Sequence, residues 1–255
     1  MLRKVIIRKE TSFVKILIVR HGDPDYSIDG LTEKGKKEAE FLSEKLCKEN
    51  ITALYCSTMG RARLTAQPTL EKTNTTAEYC EWLQEFLKPR IKLPYRDRAD
   101  YCWDILPECL EKYPEIYSNT EWVNVDFIKE SDVPDEYKRV CDEFDKVLAK
   151  HGYVRSGLNY HAITPNHDTL VFVCHFGLAT VLISHLINCS PYSIWQNTCL
   201  LPTSVSTLYT EERRRGIAAF RCTGFGDVSH LYAHGEEPAF AGRFCECFTD
   251  GTRHD

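Results

Sequence analysis

Two hydrophobic periods alternate along this chain. Val14-Lys15-Ile16-Leu17-Ile18-Val19 is an almost unbroken aliphatic run, and it stops abruptly at Arg20-His21-Gly22. A short, β-branched run of this kind reads as a strand buried on both faces. Residues 51–56, 76–81 and 169–174 repeat the pattern, and each gives way to polar or glycine positions at its end. Between these runs the spacing changes to that of helices. Thr32 is placed to cap a helix running to about Cys47, with Ala39, Leu42 and Leu46 on one face. Tyr137, Val140, Cys141, Phe144, Val147 and Leu148 recur at helical spacing over 135–150. Residues 203–210 and 217–222 read as a hairpin around Glu211-Glu212-Arg213-Arg214-Arg215-Gly216, whose arginines fit a solvated turn.

Strands alternating with helices predict an α/β fold: three layers, α/β/α, around a mainly parallel central sheet. If the strands are parallel, their ends share one edge of the sheet, where open α/β folds bind ligands. Arg20, His21, Arg61, Glu85 and His175 would then converge, three of them directly after strands. Segments such as 57–66 and 175–177 also open helices, whose free N–H groups and dipole favour an anion. A phosphate suits this set, since a guanidinium grips two oxygens and a neutral ring nitrogen can attack phosphorus.

Composition narrows the choices. The chain has 255 residues, enough for a substantial core in one α/β domain, 1–255. Its 43% hydrophobic and 27% charged content is that of a globular protein. A net charge of −5 argues against a general nucleic-acid partner. No apolar stretch reaches bilayer length, and the charged N-terminus lacks a signal-peptide pattern, so the expectation is a cytoplasmic protein without a membrane partner. Twelve cysteines therefore read as reduced thiols, with Cys56, Cys174 and Cys222 as small hydrophobes in or beside strands. Cys245-Glu246-Cys247 with His254 lacks paired Cys-x-x-Cys spacing. Residues 1–11 read as either an extra edge strand or a leader.

Several blocks together resemble the histidine phosphatase superfamily, the phosphoglycerate mutase-like enzymes. They are Arg20-His21-Gly22, Leu31-Thr32-Glu33-Lys34-Gly35 with Ala39, and residues 57–66 with Arg61 and Thr65-Ala66. Leu83-Gln84-Glu85, Val173-Cys174-His175-Phe176-Gly177 and Gly226-Asp227-Val228-Ser229-His230-Leu231 follow in the family's order. The resemblance implies that His21 is the nucleophile, Glu85 the general acid and then base, and His175 a donor to the phosphoryl group. It implies substrate binding by Arg20 and Arg61, and neither metal nor organic cofactor. It also implies that the insertion after the third strand, about 86–134, forms a cap. This stretch is rich in proline and aromatic residues and locally basic around Lys88, Arg90, Lys92, Arg96 and Arg98. A basic, aromatic cap would meet an anionic substrate; a loop whose charges face water is the alternative. Two departures from the family stand out: Ser27 where an asparagine is common, and no glycine-tryptophan pair before Glu85.

The expected activity is hydrolysis of a small phosphorylated metabolite through a phosphohistidine on His21. A phosphomutase that returns the phosphoryl group to an isomer is the enzymatic alternative. A non-catalytic phospho-ligand binder is the alternative from another class, and it would have no need of the nucleophile. The neighbouring acids Glu81 and Asp23 are the substitutes for Glu85. His185, among apolar residues, and His230, near the last strand, are left out of the site.

Overall fold

The computed structural model describes residues 13–241, and the alternating pattern resolves there into one eight-stranded sheet with helices on both faces. In chain order its strands are β1 (Lys15–Arg20), β2 (Ala53–Ser57), β3 (Ala77–Cys80), β4 (Tyr153–Ser156), β5 (Asn159–Ala162), β6 (Thr169–Cys174), β7 (Val205–Arg214) and β8 (Ile217–Asp227). Their spatial order is β3-β2-β6-β1-β7-β8-β5-β4. The first four run parallel, with Val19 opposite Val173 and Val173 opposite Cys56. From β1 onward every pairing is antiparallel. The three-layer arrangement is thus built on a mixed sheet. Hairpin strands pair antiparallel because a tight turn reverses the chain. The hairpin at 153–162 was not legible as strands, and β7 continues through Arg214, so the turn shrinks to Arg215-Gly216. The three arginines are exposed as expected.

Alternation along the strands sorts the core. Leu17, Val19, Leu54, Cys56, Val171 and Val173 face α1 (Glu33–Leu46) and α2 (Gly60–Thr73), meeting Leu42, Leu46, Ala62 and Ala66. Ile16, Ile18, Tyr55, Leu170 and Phe172 face the other way. They meet Val140, Phe144 and Val147 of α3 (Val133–Lys150) and Leu178 of α4 (Phe176–Ile187). Each valine, leucine, isoleucine or phenylalanine among them contributes roughly 1.5–3 kcal/mol on burial. Thr32 caps α1 as predicted, its Oγ1 accepting the Gly35 N–H at 3.0 Å.

The insertion is packed rather than loose. A two-stranded pair, Arg90–Lys92 with Ala99–Tyr101, precedes short helical turns, and Ile91, Leu93, Ile116, Trp122 and Ile128 join the core shared by α3 and α4. Among the described residues no helix is long and apolar enough to cross a membrane. The described cysteines are free; Cys56 and Cys174 are buried, whereas Cys222 is exposed on β8. Residues 1–11 and the Cys245, Cys247 and His254 group lie outside the described residues.

Candidate active site

The parallel half of the sheet delivers the predicted residues to one edge. Arg20 ends β1 and His21 follows it; His175 follows β6; Arg61 is the second residue of α2; Glu85 lies just past the turn Glu81–Leu83 that follows β3. The His21 and His175 rings stand 5.1 Å apart, centre to centre. Both are fully buried.

His21 Nδ1 is 2.7 Å from the Gly22 carbonyl. A carbonyl only accepts, so Nδ1 carries the proton and Nε2 keeps its lone pair. Arg61 Nε–H donates to that Nε2 at 3.3 Å. Burial first, then Arg20 and Arg61, hold the ring well below the ordinary histidine pKa. A buried imidazole beside two guanidiniums stays neutral, as a nucleophile must.

The loop that carries Gly22 is pinned from behind. Thr65 Oγ1 accepts the Gly22 N–H at 2.9 Å and donates to the Arg61 carbonyl at 2.7 Å. A methyl group on Gly22 would stand 2.8 Å from the Gly35 carbonyl, and one on Gly35 would collide with Asp23. This close approach explains a glycine inside the first turn of α1, where it otherwise costs helix stability.

Arg20 is buried; its Nη1 donates to the carbonyls of Leu200 and, at 3.2 Å, of Ala241. Its Nε, like His175 Nδ1, is buried without a partner among the described residues. Unpaired buried donors are rare in folded proteins and call for an explanation. His175 Nε2 meets Ser57 Oγ at 2.8 Å. Its pKa is also pushed well down, by burial and then by His21 and the two arginines.

Glu85 is partly buried at the start of α4. Its Oε1 accepts the Phe86 N–H at 2.9 Å and the Leu178 N–H at 3.1 Å, so it caps a helix whose own N-cap, His175, supplies no side-chain bond. Both donors converge on Oε1. Burial raises the carboxyl pKa against the opposing pull of these N–H groups and the arginines. Glu81, by contrast, is exposed, and Asp23 is engaged by Thr32, whose hydroxyl donates to Oδ2 at 2.7 Å.

The sequence model of the histidine phosphatase superfamily (branch 1) matches residues 16–89, the segment holding Arg20, His21, Arg61 and Glu85. Phosphoserine phosphatase 1 of Hydrogenobacter thermophilus is 25% identical over 234 residues, 87% of this chain and 98% of that protein. The chain is thus similar to the histidine phosphatase superfamily over residues 16–89 and to a phosphoserine phosphatase over most of its length. Solved histidine phosphatase-like structures share its fold. Phosphoserine phosphatase from Entamoeba histolytica, in complex with 3-phosphoglyceric acid, superposes with a TM-score of 0.54 at 18% identity, covering 86% of this chain and 99% of that one. Phosphoglycerate mutase from Bacillus anthracis gives 0.55 at 21% identity, covering 89% and 98%.

Beyond the family's blocks, the site draws on residues that sequence reasoning passed over. Asp29, with a φ of +47°, pairs with Arg61 and accepts the Gly60 N–H at 2.6 Å, capping α2 from a distant loop. Trp103 of the insertion reaches the start of α4. A methyl on Gly177 would collide with its ring and stand 2.9 Å from Glu85 Oε1. That glycine was the available signal, because glycine in a helix marks close approach. Of the basic residues of the insertion, Arg96 pairs with Asp100 and Asp104, Arg98 with Asp100 at 3.6 Å, and Arg90 stacks over Tyr101 at 3.7 Å, while Lys88, Arg90, Lys92 and Arg98 are exposed to water. His230, left out of the site, donates from Nε2 at 3.1 Å to Thr203 Oγ1, and the Thr203 N–H holds the His21 carbonyl at 3.1 Å. The proton assignment follows because Thr203 Oγ1 gives its own proton to Pro202. His185 pairs with Asp145, remote from these groups in the sequence pattern and in role.

Proposed function

We propose that the protein is a phosphatase that hydrolyses a small phosphomonoester through a phosphohistidine on His21. What carries the proposal is the fixed His21 ring, protonated on Nδ1 and bare on Nε2, beside Arg61. In the first step the Nε2 lone pair forms a bond to phosphorus and the ester P–O bond breaks. The Glu85 proton goes to the departing oxygen. In the second step water forms a P–O bond, the N–P bond breaks, and the water proton passes to the Glu85 carboxylate.

Arg20 and Arg61 neutralise the phosphoryl charge, each contributing roughly 4 kcal/mol at about 4 Å and an effective dielectric near 20, before desolvation. They are charged at any working pH, so the route calls for no metal ion. Arg20 Nε and His175 Nδ1, buried and without a partner among the described residues, are donors that a phosphoryl group would satisfy. Residues 86–134 act in this proposal as the cap, with Trp103 beside the leaving-group oxygen. The phosphoserine phosphatases among the relatives make phosphoserine the first substrate to try.

Alkaline quenching of a turnover reaction should yield one phosphorylated peptide, containing His21, since phosphohistidine survives alkali better than acid. His21→Ala should lose both label and turnover, and activity should survive a strong chelator. Full activity in His21→Ala would refute the nucleophile. An isomerised phosphorylated product in place of free phosphate would make the protein a mutase.

A further inference from the structure

Ser57 has no part in the steps above, yet it touches one of their residues. It closes β2, is fully buried, and its Oγ lies 2.8 Å from His175 Nε2. The Met59 N–H donates to the same oxygen at 3.3 Å. A hydroxyl has one proton and two lone pairs, and Met59 uses one of the lone pairs. The proton needs an acceptor, because a buried donor left unpaired is costly. Among the described residues the structure offers His175 Nε2 for it.

If Ser57 donates, Nε2 must be the bare nitrogen and the single proton of a neutral imidazole must sit on Nδ1. His175 Nδ1 is buried without a partner among the described residues, on a ring 5.1 Å from that of His21. The opposite tautomer fails twice. It would strand the Ser57 proton, and it would turn a lone pair instead of an N–H toward an incoming phosphate oxygen.

We infer that Ser57 is a positioning residue that fixes His175 as the Nδ1–H tautomer, so that this imidazole donates to the phosphoryl group without carrying charge. The inference rests on the phosphatase proposal for its use, though not for the tautomer itself. Burial keeps His175 neutral, which is why a tautomer must supply what protonation would otherwise supply. The two site histidines then share a tautomer and expose opposite ends. A backbone carbonyl takes the His21 proton and frees Nε2 to attack; a serine hydroxyl occupies His175 Nε2 and frees the N–H to donate.

The test is ring-¹⁵N NMR of histidine-labelled protein at neutral pH, with the His175 signals identified by their loss in His175→Gln. The expected wild-type result is an Nδ1–H ring, its proton signal moving when inorganic phosphate is added. Ser57→Ala should shift the ring toward Nε2–H and slow single-turnover phosphoryl transfer from nitrophenyl phosphate by about 10- to 100-fold, with KM little changed. Ser57→Thr keeps the hydroxyl and should keep both the tautomer and, within a few-fold, the rate. A wild-type His175 resolved as Nε2–H would overturn the inference whatever the activity. Full Nδ1–H character and full rate in Ser57→Ala would also overturn it. No phosphate release from any substrate, with His175 found as Nδ1–H, would fault the proposed activity and support the tautomer.

Discussion

Two polar groupings in the fold, one half-buried and one buried, are treated in opposite ways. On the antiparallel half, Asp145 of α3 accepts from Tyr160 at 2.8 Å and pairs with His185 at 2.9 Å. Arg155 fills its donors with the Tyr160 hydroxyl, the His185 and Gly157 carbonyls and Asn188. These groups hydrogen-bond to one another, and the network ties the β4–β5 hairpin to α3 and α4. At the parallel strand ends the pattern inverts. The histidines face arginines instead of a carboxylate, Glu85 is held by backbone N–H groups, and Arg20 Nε and His175 Nδ1 have no partner among the described residues. A saturated network serves stability; unpaired donors grouped at one sheet edge leave polarity for a ligand to meet.

The comparison breaks most sharply at Glu85. Replacing it with Gln should slow single-turnover phosphorylation by alkyl phosphates by about 10²–10⁴-fold, since an alkoxide needs a proton to leave. Nitrophenyl phosphate, whose phenolate departs unaided, should suffer far less. Equal losses for the two substrates in that step would remove Glu85 as the acid.

Next in size is the contrast between cations. Arg61→Ala should cost about 10²–10³-fold in kcat/KM for every substrate, because the charge it stabilises lies on the transferring group. Asp145→Asn should leave kcat/KM within about twofold while lowering unfolding free energy by about 1–3 kcal/mol, read by urea denaturation. A large rate loss in Asp145→Asn would mean that the two regions are coupled.

The contrast was only half legible in the sequence. Arg20, His21 and His175 could be found because a buried strand that ends in a cation or an imidazole has little reason to do so except at a ligand edge. Gly35 pointed to close packing, and the Gly22 and Asp23 contacts supply the reason. The antiparallel network was hidden because β4 and β5 are four residues each, with Tyr153 and Tyr160 buried among polar neighbours. Pairing of such short strands is set by tertiary contact and not by their own pattern. Trp103, Asp29 and Thr203 act across long sequence separations. Thr203 sits at a φ of +56°, a strained conformation that no threonine announces.

Proton affinity sharpens the comparison further. The site histidines are held below the ordinary value by burial, and Glu85 above its ordinary value, also by burial. The kcat for an alkyl phosphate should therefore persist below pH 6.5, where an ordinary histidine would already be protonated. It should decline as pH rises through the elevated Glu85 pKa, where the acid loses its proton. In Glu85→Gln the alkaline decline should vanish from the phosphorylation step. An acid limb centred at 6.5 or above would contradict a neutral, buried His21.

The smallest effect lies behind His21, at His230. Burial lowers its pKa from 6.5 to about 4, with Lys45 adding to the shift and Asp227 opposing it. Folded His230 therefore stays neutral between those values, while the unfolded chain takes up a proton near pH 6.5. The unfolded state binds more protons in that window, so stability must rise with pH across it. Its contribution is fully present above about pH 6.5 and is lost as pH falls toward 4. Gln in its place can still donate to Thr203 Oγ1 and cannot titrate. The difference in stability between wild type and His230→Gln should favour wild type most at pH 7 and shrink on acidification, by at most about tenfold in the folding constant per pH unit. His21 and His175 add slopes of the same sign, but they are common to both proteins and cancel in the difference. Chemical denaturation at half-unit intervals from pH 4 to 7 would measure it, and parallel curves would show that His230 titrates in the fold as it does in the open chain.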